Sequence, residues 1–432
     1  MTAVSAVSAL DPVRSSSPPG ESFNAAVGLA CRECGTTVEL SPAHVCDMCF
    51  GPLEICYDDT VRRQTVSRAA IEAGPRSMWR YRDLLPIAPV VDLQVGLTRL
   101  VRADRLAAEL GMRSLWVKDD SGNPTHSFKD RVVAVAASAA RTFGFGVLSC
   151  ASTGNLANAV AAAAAHAGMR SVVFIPRDLE AGKVVTTAVY GGILVAIDGS
   201  YDDVNRLCAE VAGELPWAFA NVNMRAFYAE GSKTVGYEIA EQLGWRLPEQ
   251  VVSPVASGSL LTKVDKAWRE LGDLGLVEPT PYRVFGAQAT GCAPVATAFA
   301  AGHDVVQPVR PTGIAKSLAI GNPADGPYAL DVVRRTGGAI ADVSDEEIVD
   351  AMSLLARTTG IFGETAGGVT LAMLRKLLRD GRLDPDAETV ILNTGDGLKT
   401  LDAVAPTATP TATIAPSLDA FRATGLAGEV AA

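Results

Sequence analysis

Beyond about residue 110, short apolar runs alternate with amphipathic stretches, which is how a parallel sheet covered by helices is written in a sequence. The runs predict strands at Ser114–Lys118, Val147–Cys150, Ser171–Ile175, Ile193–Ile197, Ala218–Val222, Val251–Val255, Arg283–Ala287 and Thr389–Asn393. Several pass at once into small or polar residues and then a helix. That order puts chemistry at strand carboxyl ends, where open α/β sheets bind their ligands. Helical periodicity is clearest over Tyr201–Leu215, with Asp202 and Asp203 in its first turn, and over Asp345–Arg357, capped by Ser344. Ala405–Pro416 is rich in Pro, Thr and Ala and reads as a linker, with a short helix after Ser417.

Composition narrows the class. A chain of 432 residues that is 48% hydrophobic can bury at least one large core and suggests two globular domains plus accessories. Its 38 Lys+Arg against 48 Asp+Glu give a net charge of -10, which argues against a nucleic-acid partner. No uninterrupted apolar run approaches the roughly 20 residues of a membrane span. The first twenty positions lack a basic start followed by an apolar segment, so a disordered leader is expected rather than a secretory peptide. Of the eight cysteines, Cys56, Cys150, Cys208 and Cys292 are scattered among apolar residues, as reduced thiols of a cytoplasmic protein would be.

The other four form two C-x-x-C knuckles, Cys31/Cys34 and Cys46/Cys49. Paired knuckles can set four thiolates around one zinc ion, and the metal then supplies folding energy that so small a module cannot draw from a core. Four incidental thiols, or a ribbon without metal, are the alternatives; the gap between the knuckles is shorter than the commonest zinc spacing but feasible for a ribbon, and structural zinc is the favoured reading. Catalytic zinc is not expected, because four cysteines leave no open position for water.

Four further segments carry chemistry. In Ser121–Arg131, SGNPTHSFKDR, an Asn-Pro-Thr turn presents Lys129 ahead of an apolar helix beginning near Val132. An amine that attacks an aldehyde must be partly desolvated and near positive potential, which Arg131 and the helix N-terminus could supply. Ala151–Asn158, ASTGNLAN, offers hydroxyls and free backbone N–H groups at a helix start, either an anion site or plain capping by Ser152 or Thr153. The amides of Ala256, Ser257, Gly258 and Ser259 could cradle a phosphate, though an isolated Ser-Gly-Ser is otherwise a turn. Ile391–Lys399, ILNTGDGLK, brings Thr394 and two glycines to a strand end.

Ser-Phe-Lys-Asp-Arg after Asn-Pro-Thr resembles the cofactor-lysine motif of the fold-type II pyridoxal-phosphate enzymes, and among them of the threonine synthases. The similarity runs from about Cys31 to Val404. It implies an α/β, two-domain, tryptophan synthase β-like fold with an N-terminal zinc-ribbon-like module. The expected division is a leader at 1–27, the four-cysteine module at 28–58, a large cofactor-binding domain at 59–145 and 232–404, a small domain at 146–231 and a tail at 405–432.

The resemblance also implies roles. Lys129 would carry pyridoxal 5'-phosphate as a Schiff base, Ser152 and Thr153 would hold the substrate carboxylate, and Asn155 would bond the cofactor's 3-hydroxyl. Ala256, Ser257, Gly258 and Ser259 would seat its phosphate, and Thr394 would face its pyridine nitrogen, with Asp396 where related sequences often have Asn or His. Arg225 with Asn221 or Asn223 would take the phosphate of the substrate, O-phospho-L-homoserine, with Lys183 and Lys233 of lower rank; in other threonine synthases the arginine sits closer to E-G-x-K-T, where this chain has Tyr228. Glu364–Gly368 would approach the ring or serve close helix packing. His126 stands where Gly or Leu is common. The implied reaction is γ-elimination and β-addition of water to give L-threonine and phosphate, in a homodimer. The rivals are a serine/threonine dehydratase or a β-replacement enzyme on the same cofactor, and an inactive zinc-ribbon binding protein.

Overall fold

The computed structural model describes residues 24–152, 154–179, 181–406 and 408–426. Its largest sheet has six strands in the order β12-β11-β10-β13-β5-β4: β4 (Arg99–Arg102), β5 (Leu115–Asp119), β10 (Gln250–Pro254), β11 (Arg283–Ala289), β12 (Ile340–Val343) and β13 (Thr389–Asn393). All neighbours are parallel except β4, an antiparallel edge carrying arginine at both ends. A second, parallel sheet runs β8-β7-β6-β9, with β6 (Val147–Ala151), β7 (Arg170–Pro176), β8 (Ile193–Ile197) and β9 (Ala218–Phe219). Near the N-terminus β1 (Ala26–Cys31), β2 (Thr37–Val38) and β3 (Leu53–Tyr57) form a small antiparallel sheet that carries the cysteine knuckles.

Both faces of the six-stranded sheet are covered, and this explains the continuous apolar runs. Val251, Val390 and Leu392 belong to the core on one face, whereas Val252 and Ile391, their chain neighbours, belong to the core on the other. On the side of the first core lie α1 (Lys129–Thr142), α5 (Lys233–Gln242) and α6 (Ser259–Asp273), with α2 (Asn155–His166) packed between α1 and strands β6 and β7 of the second sheet; on the other face lie α8 (Asp345–Thr359) and α9 (Thr365–Arg379). The remaining helices used below are α3 (Tyr201–Glu214), α4 (Arg225–Gly231), α7 (Gly326–Arg335) and α10 (Leu418–Ala423).

All eight expected strands are present, and both expected helices open with a capping box, Ser200 with Asp203 and Ser344 with Glu347. The helix after Ser417 is α10, capped by the Ser417 hydroxyl. Two details differ. The strand expected to reach Val222 stops at Phe219, because the Asn223 side chain accepts from Phe219 N (2.7 Å) and donates to Trp217 O (2.9 Å), turning the chain. The helix expected from Val132 starts at Lys129 itself, since Phe128 is already helical (φ -50°, ψ -26°) and the Asp130 carboxylate satisfies Thr125 N. Among the described residues no helix is long and apolar enough to cross a membrane.

Candidate active site

The loop that delivers Lys129 is tied down at each step. Asp119, at the end of β5, accepts from Asn393 Nδ2 (2.9 Å) and Ser121 Oγ (2.6 Å). Asp130 accepts from Thr125 N and Oγ1, both at 2.8 Å; burial pushes its carboxyl up to about 6 in spite of those bonds. His126 takes φ = 61°, a left-handed position that favours glycine and that histidine tolerates better than most side chains. Phe128 N then donates to Thr394 O at 2.9 Å, lashing the loop to the end of β13. Lys129 therefore leaves the first turn of α1 half-buried, with Nζ 3.0 Å from the Tyr228 hydroxyl of α4.

Arg131 does not supply the positive potential expected of it. It is fully buried and bridges Asp120 (2.7 Å) and Glu238 (2.6 Å), and Glu238 also takes Lys118 (2.6 Å). With two carboxylates for partners its charge is neutralised where it stands. Burial alone would raise the Glu238 carboxyl, but Arg131 and Lys118 outweigh it and hold the group down to about 2. This network is the floor under the Lys129 loop.

Lys129 faces a cavity whose wall includes Phe128, Asn155, Tyr228, Ser232, the Ala256–Ser259 turn, Ser317, Glu364 and Thr394. The turn joins β10 to α6, so the positive end of that helix lies at the cavity wall. Gly258 makes the approach possible: its φ is +100°, and a Cβ there would lie 2.6 Å from Asp325 O. Beside the turn, the Ser232 and Ser317 hydroxyls are buried without a hydrogen-bond partner among the described residues. A buried orphan hydroxyl costs on the order of 1–3 kcal/mol unless a ligand satisfies it. An amine, a cradle of amides and an orphan hydroxyl around one cavity fit a phosphorylated aldehyde such as pyridoxal 5'-phosphate.

The cavity continues past Ser152, Tyr201, Asn221, Arg225 and Asp325 to its mouth at His44. Ser152 Oγ accepts from Gly154 N (3.0 Å) and Ala157 N (2.8 Å), so it caps α2 while facing the chamber. Asn155 donates to both Glu364 oxygens (3.0 and 2.9 Å) and accepts from Lys399 Nζ (3.2 Å). Asn221 clamps Ala151 through both backbone groups, at 3.3 and 3.2 Å. Arg225 is paired with Asp325 at 3.0 Å. Partial burial and then the Arg225 charge lower the His44 pKa.

Not every expected residue gathers here. Thr153 lies outside the described residues. Asn223 is tied into its turn and is not part of either wall. Lys233 is buried between Glu230 (2.6 Å) and Glu270 (2.9 Å), a structural ion pair. Lys183 is buried beneath Gly154, where a Cβ would meet its Cδ at 2.2 Å. Asp396 lines a separate cavity with His126, while Thr394 lines the one with Lys129. Conversely, sequence reasoning passed over Ser232, Ser317, Asp325 and His44. Only Ser232 left a trace, in its place within Glu-Gly-Ser-Lys-Thr.

The Sγ atoms of Cys31, Cys34, Cys46 and Cys49 lie within 4.8 Å of one another, with Cys31–Cys49 at 3.4 Å and Cys34–Cys46 at 3.7 Å. Ligands about 2.3 Å from a tetrahedral zinc would be about 3.8 Å apart. Glu33 N and Met48 N each approach a knuckle sulfur at 3.4 Å, as donors that would stabilise thiolates.

Comparison with known proteins agrees with this geometry. Residues 91–395 match the family described as pyridoxal-phosphate dependent enzyme. A threonine synthase of Methanocaldococcus jannaschii is 36% identical over 379 residues, 86% of this chain and 93% of that protein. One of Methanosarcina acetivorans is 35% identical over 402 residues, 91% of this chain and 97% of that protein. Among solved structures, a diaminopropionate ammonia lyase from Escherichia coli superposes with a TM-score of 0.61 at 19% identity, covering 72% of this chain and 88% of that one. That likeness speaks to the fold alone.

Proposed function

This chain belongs to the pyridoxal-phosphate-dependent enzyme family, and from that premise we propose that it converts O-phospho-L-homoserine and water to L-threonine and phosphate. The observation that carries the reading is that Lys129, the amide cradle at 256–259 and Thr394 face one cavity, which runs on to Arg225. The threonine synthases it resembles align over most of both chains.

When bound, pyridoxal 5'-phosphate supplies an electron sink conjugated to the substrate amine. Ser257, Gly258 and Ser259 at the head of α6, with the Ser232 hydroxyl, would hold its phosphate. Thr394 would offer a neutral hydroxyl to its ring, and Lys129 would be the lysine that carries it. The Lys129 amine would take protons from the α and then the β carbon of the substrate, and the Tyr228 hydroxyl 3.0 Å away keeps it aimed. The N-terminus of α2 with Ser152 binds the carboxylate while Arg225 draws the γ-phosphate, so both substrate ends are fixed as phosphate departs from the γ carbon. One of the two protons goes to the γ carbon as phosphate leaves it. Water then adds its hydroxyl at the β carbon and gives its remaining proton to the departed phosphate, and Lys129 returns the second proton to the α carbon. The four cysteines hold a structural zinc ion.

The test is purified protein supplied with phosphohomoserine. Threonine and phosphate should appear in equal amounts. Efficient formation of pyruvate or 2-oxobutyrate from serine or threonine, with phosphohomoserine untouched, would instead favour a dehydratase.

A further inference from the structure

The cysteine module does not stand apart from the chamber. His44, in the connection between its knuckles, is exposed at the mouth and lines the same wall as Arg225 and Asp325. The module is fastened in that position. The Arg32 guanidinium lies 3.4 Å from the centre of the Tyr328 ring, the Tyr328 hydroxyl donates to Glu33, and Glu54 of β3 pairs with Lys263 at 2.6 Å. Tyr328 is in the first turn of α7, whose N-cap Asp325 binds Arg225 at 3.0 Å and donates its own N–H to Ser257 O at 2.9 Å. One line of contacts thus runs from the first knuckle to the residue that orients Arg225, and the connection before the second knuckle brings an imidazole to the same opening.

The charge balance gives that imidazole a task. Asp325 offsets part of the Arg225 charge, so an arriving phosphate dianion meets less cation than the arginine alone would offer. A second N–H donor at the rim restores the match, and an imidazole ring has one to give whether or not it carries a charge. We infer that the knuckle connection is the specificity wall of the substrate chamber and that His44 donates to the substrate phosphate beside Arg225. This rests on the phosphohomoserine reading above.

The experiment uses full-length holoenzyme, wild type and the variants His44→Ala and His44→Asn, with inorganic phosphate titrated by calorimetry and phosphohomoserine kinetics run in parallel. His44→Ala should weaken phosphate binding by about tenfold and raise KM for phosphohomoserine similarly, because a hydrogen bond to a charged group is lost. Its kcat and visible cofactor band should stay at wild-type levels, and His44→Asn, which keeps an N–H donor, should recover much of the loss. Unchanged phosphate affinity in His44→Ala would overturn the inference. So would a parallel loss of cofactor band and melting temperature in both variants, which marks a purely structural role. If the wild type formed no threonine, the proposed reaction would fall, while the phosphate titration would still decide the role of His44.

Discussion

The Lys129 amine and the Tyr228 hydroxyl are 3.0 Å apart, although 99 positions separate them in the chain. A hydroxyl at that distance can aim the amine and share its proton. Tyr228→Phe should therefore retain the cofactor, read as an unchanged visible band, while kcat falls by roughly 10- to 100-fold. A variant with wild-type kcat would remove Tyr228 from the reaction.

The cradle makes a separable claim about cofactor affinity. Ser232→Ala deletes a hydroxyl that is buried without a partner among the described residues, so the fold should tolerate it, with a melting temperature at or above wild type in the cofactor-free form. The dissociation constant for pyridoxal phosphate, followed by absorbance titration, should rise about tenfold. Gly258→Ala should do more harm, because the new Cβ would lie 2.6 Å from Asp325 O at a φ of +100°.

Beneath the loop, the depressed Glu238 carboxyl links stability to pH. Its native pKa of about 2 lies below the ordinary value, so its contribution is complete above the unfolded pKa and is lost as pH falls from about 4.5 toward 2. Urea midpoints taken down that range should drop more steeply for wild type than for Glu238→Gln. At neutral pH the variant should be less stable by about 3–5 kcal/mol, because Lys118 and Arg131 keep buried charge without their partner. Equal midpoints for the two proteins would show that the network carries no net stabilisation.

The knuckles are tested by metal content. Elemental analysis should find one zinc per chain, and Cys46→Ser should lose it together with several degrees of melting temperature. Metal-free wild type of unchanged stability would leave four thiols without a metal role.

How much of this was legible in the sequence follows from the range of each interaction. Strands such as Val251–Val255 and Thr389–Asn393 announced themselves because both faces of the sheet are buried and every position had to be apolar. Lys129 and the 256–259 turn were legible because each sits in a contiguous segment of characteristic residues. The role of Arg131 was misjudged because its partners, Asp120 and Glu238, are 11 and 107 positions away, and no local pattern reveals that pairing. His44 and Ser317 were silent for the same reason: they reach the cavity through the packing of the cysteine module and the segment before α7, and an isolated His or Ser carries no such information. β4, charged at both ends, and the four-residue β12 lacked the apolar runs by which strands were recognised.

The central claim is that position 129 provides the amine that bears the cofactor. Three lysines compete near the cavity: Lys129 half-buried in its wall, Lys183 buried under Gly154, and Lys399 bonded to Asn155 and Asn158, its pKa lowered by burial. Borohydride reduction of the holoenzyme followed by proteolysis and peptide mapping distinguishes them in one measurement. The pyridoxyl label should be found on the peptide containing Lys129 and should be absent from Lys129→Ala. A label on Lys183 or Lys399, or none on any lysine of the wild type, would contradict the account.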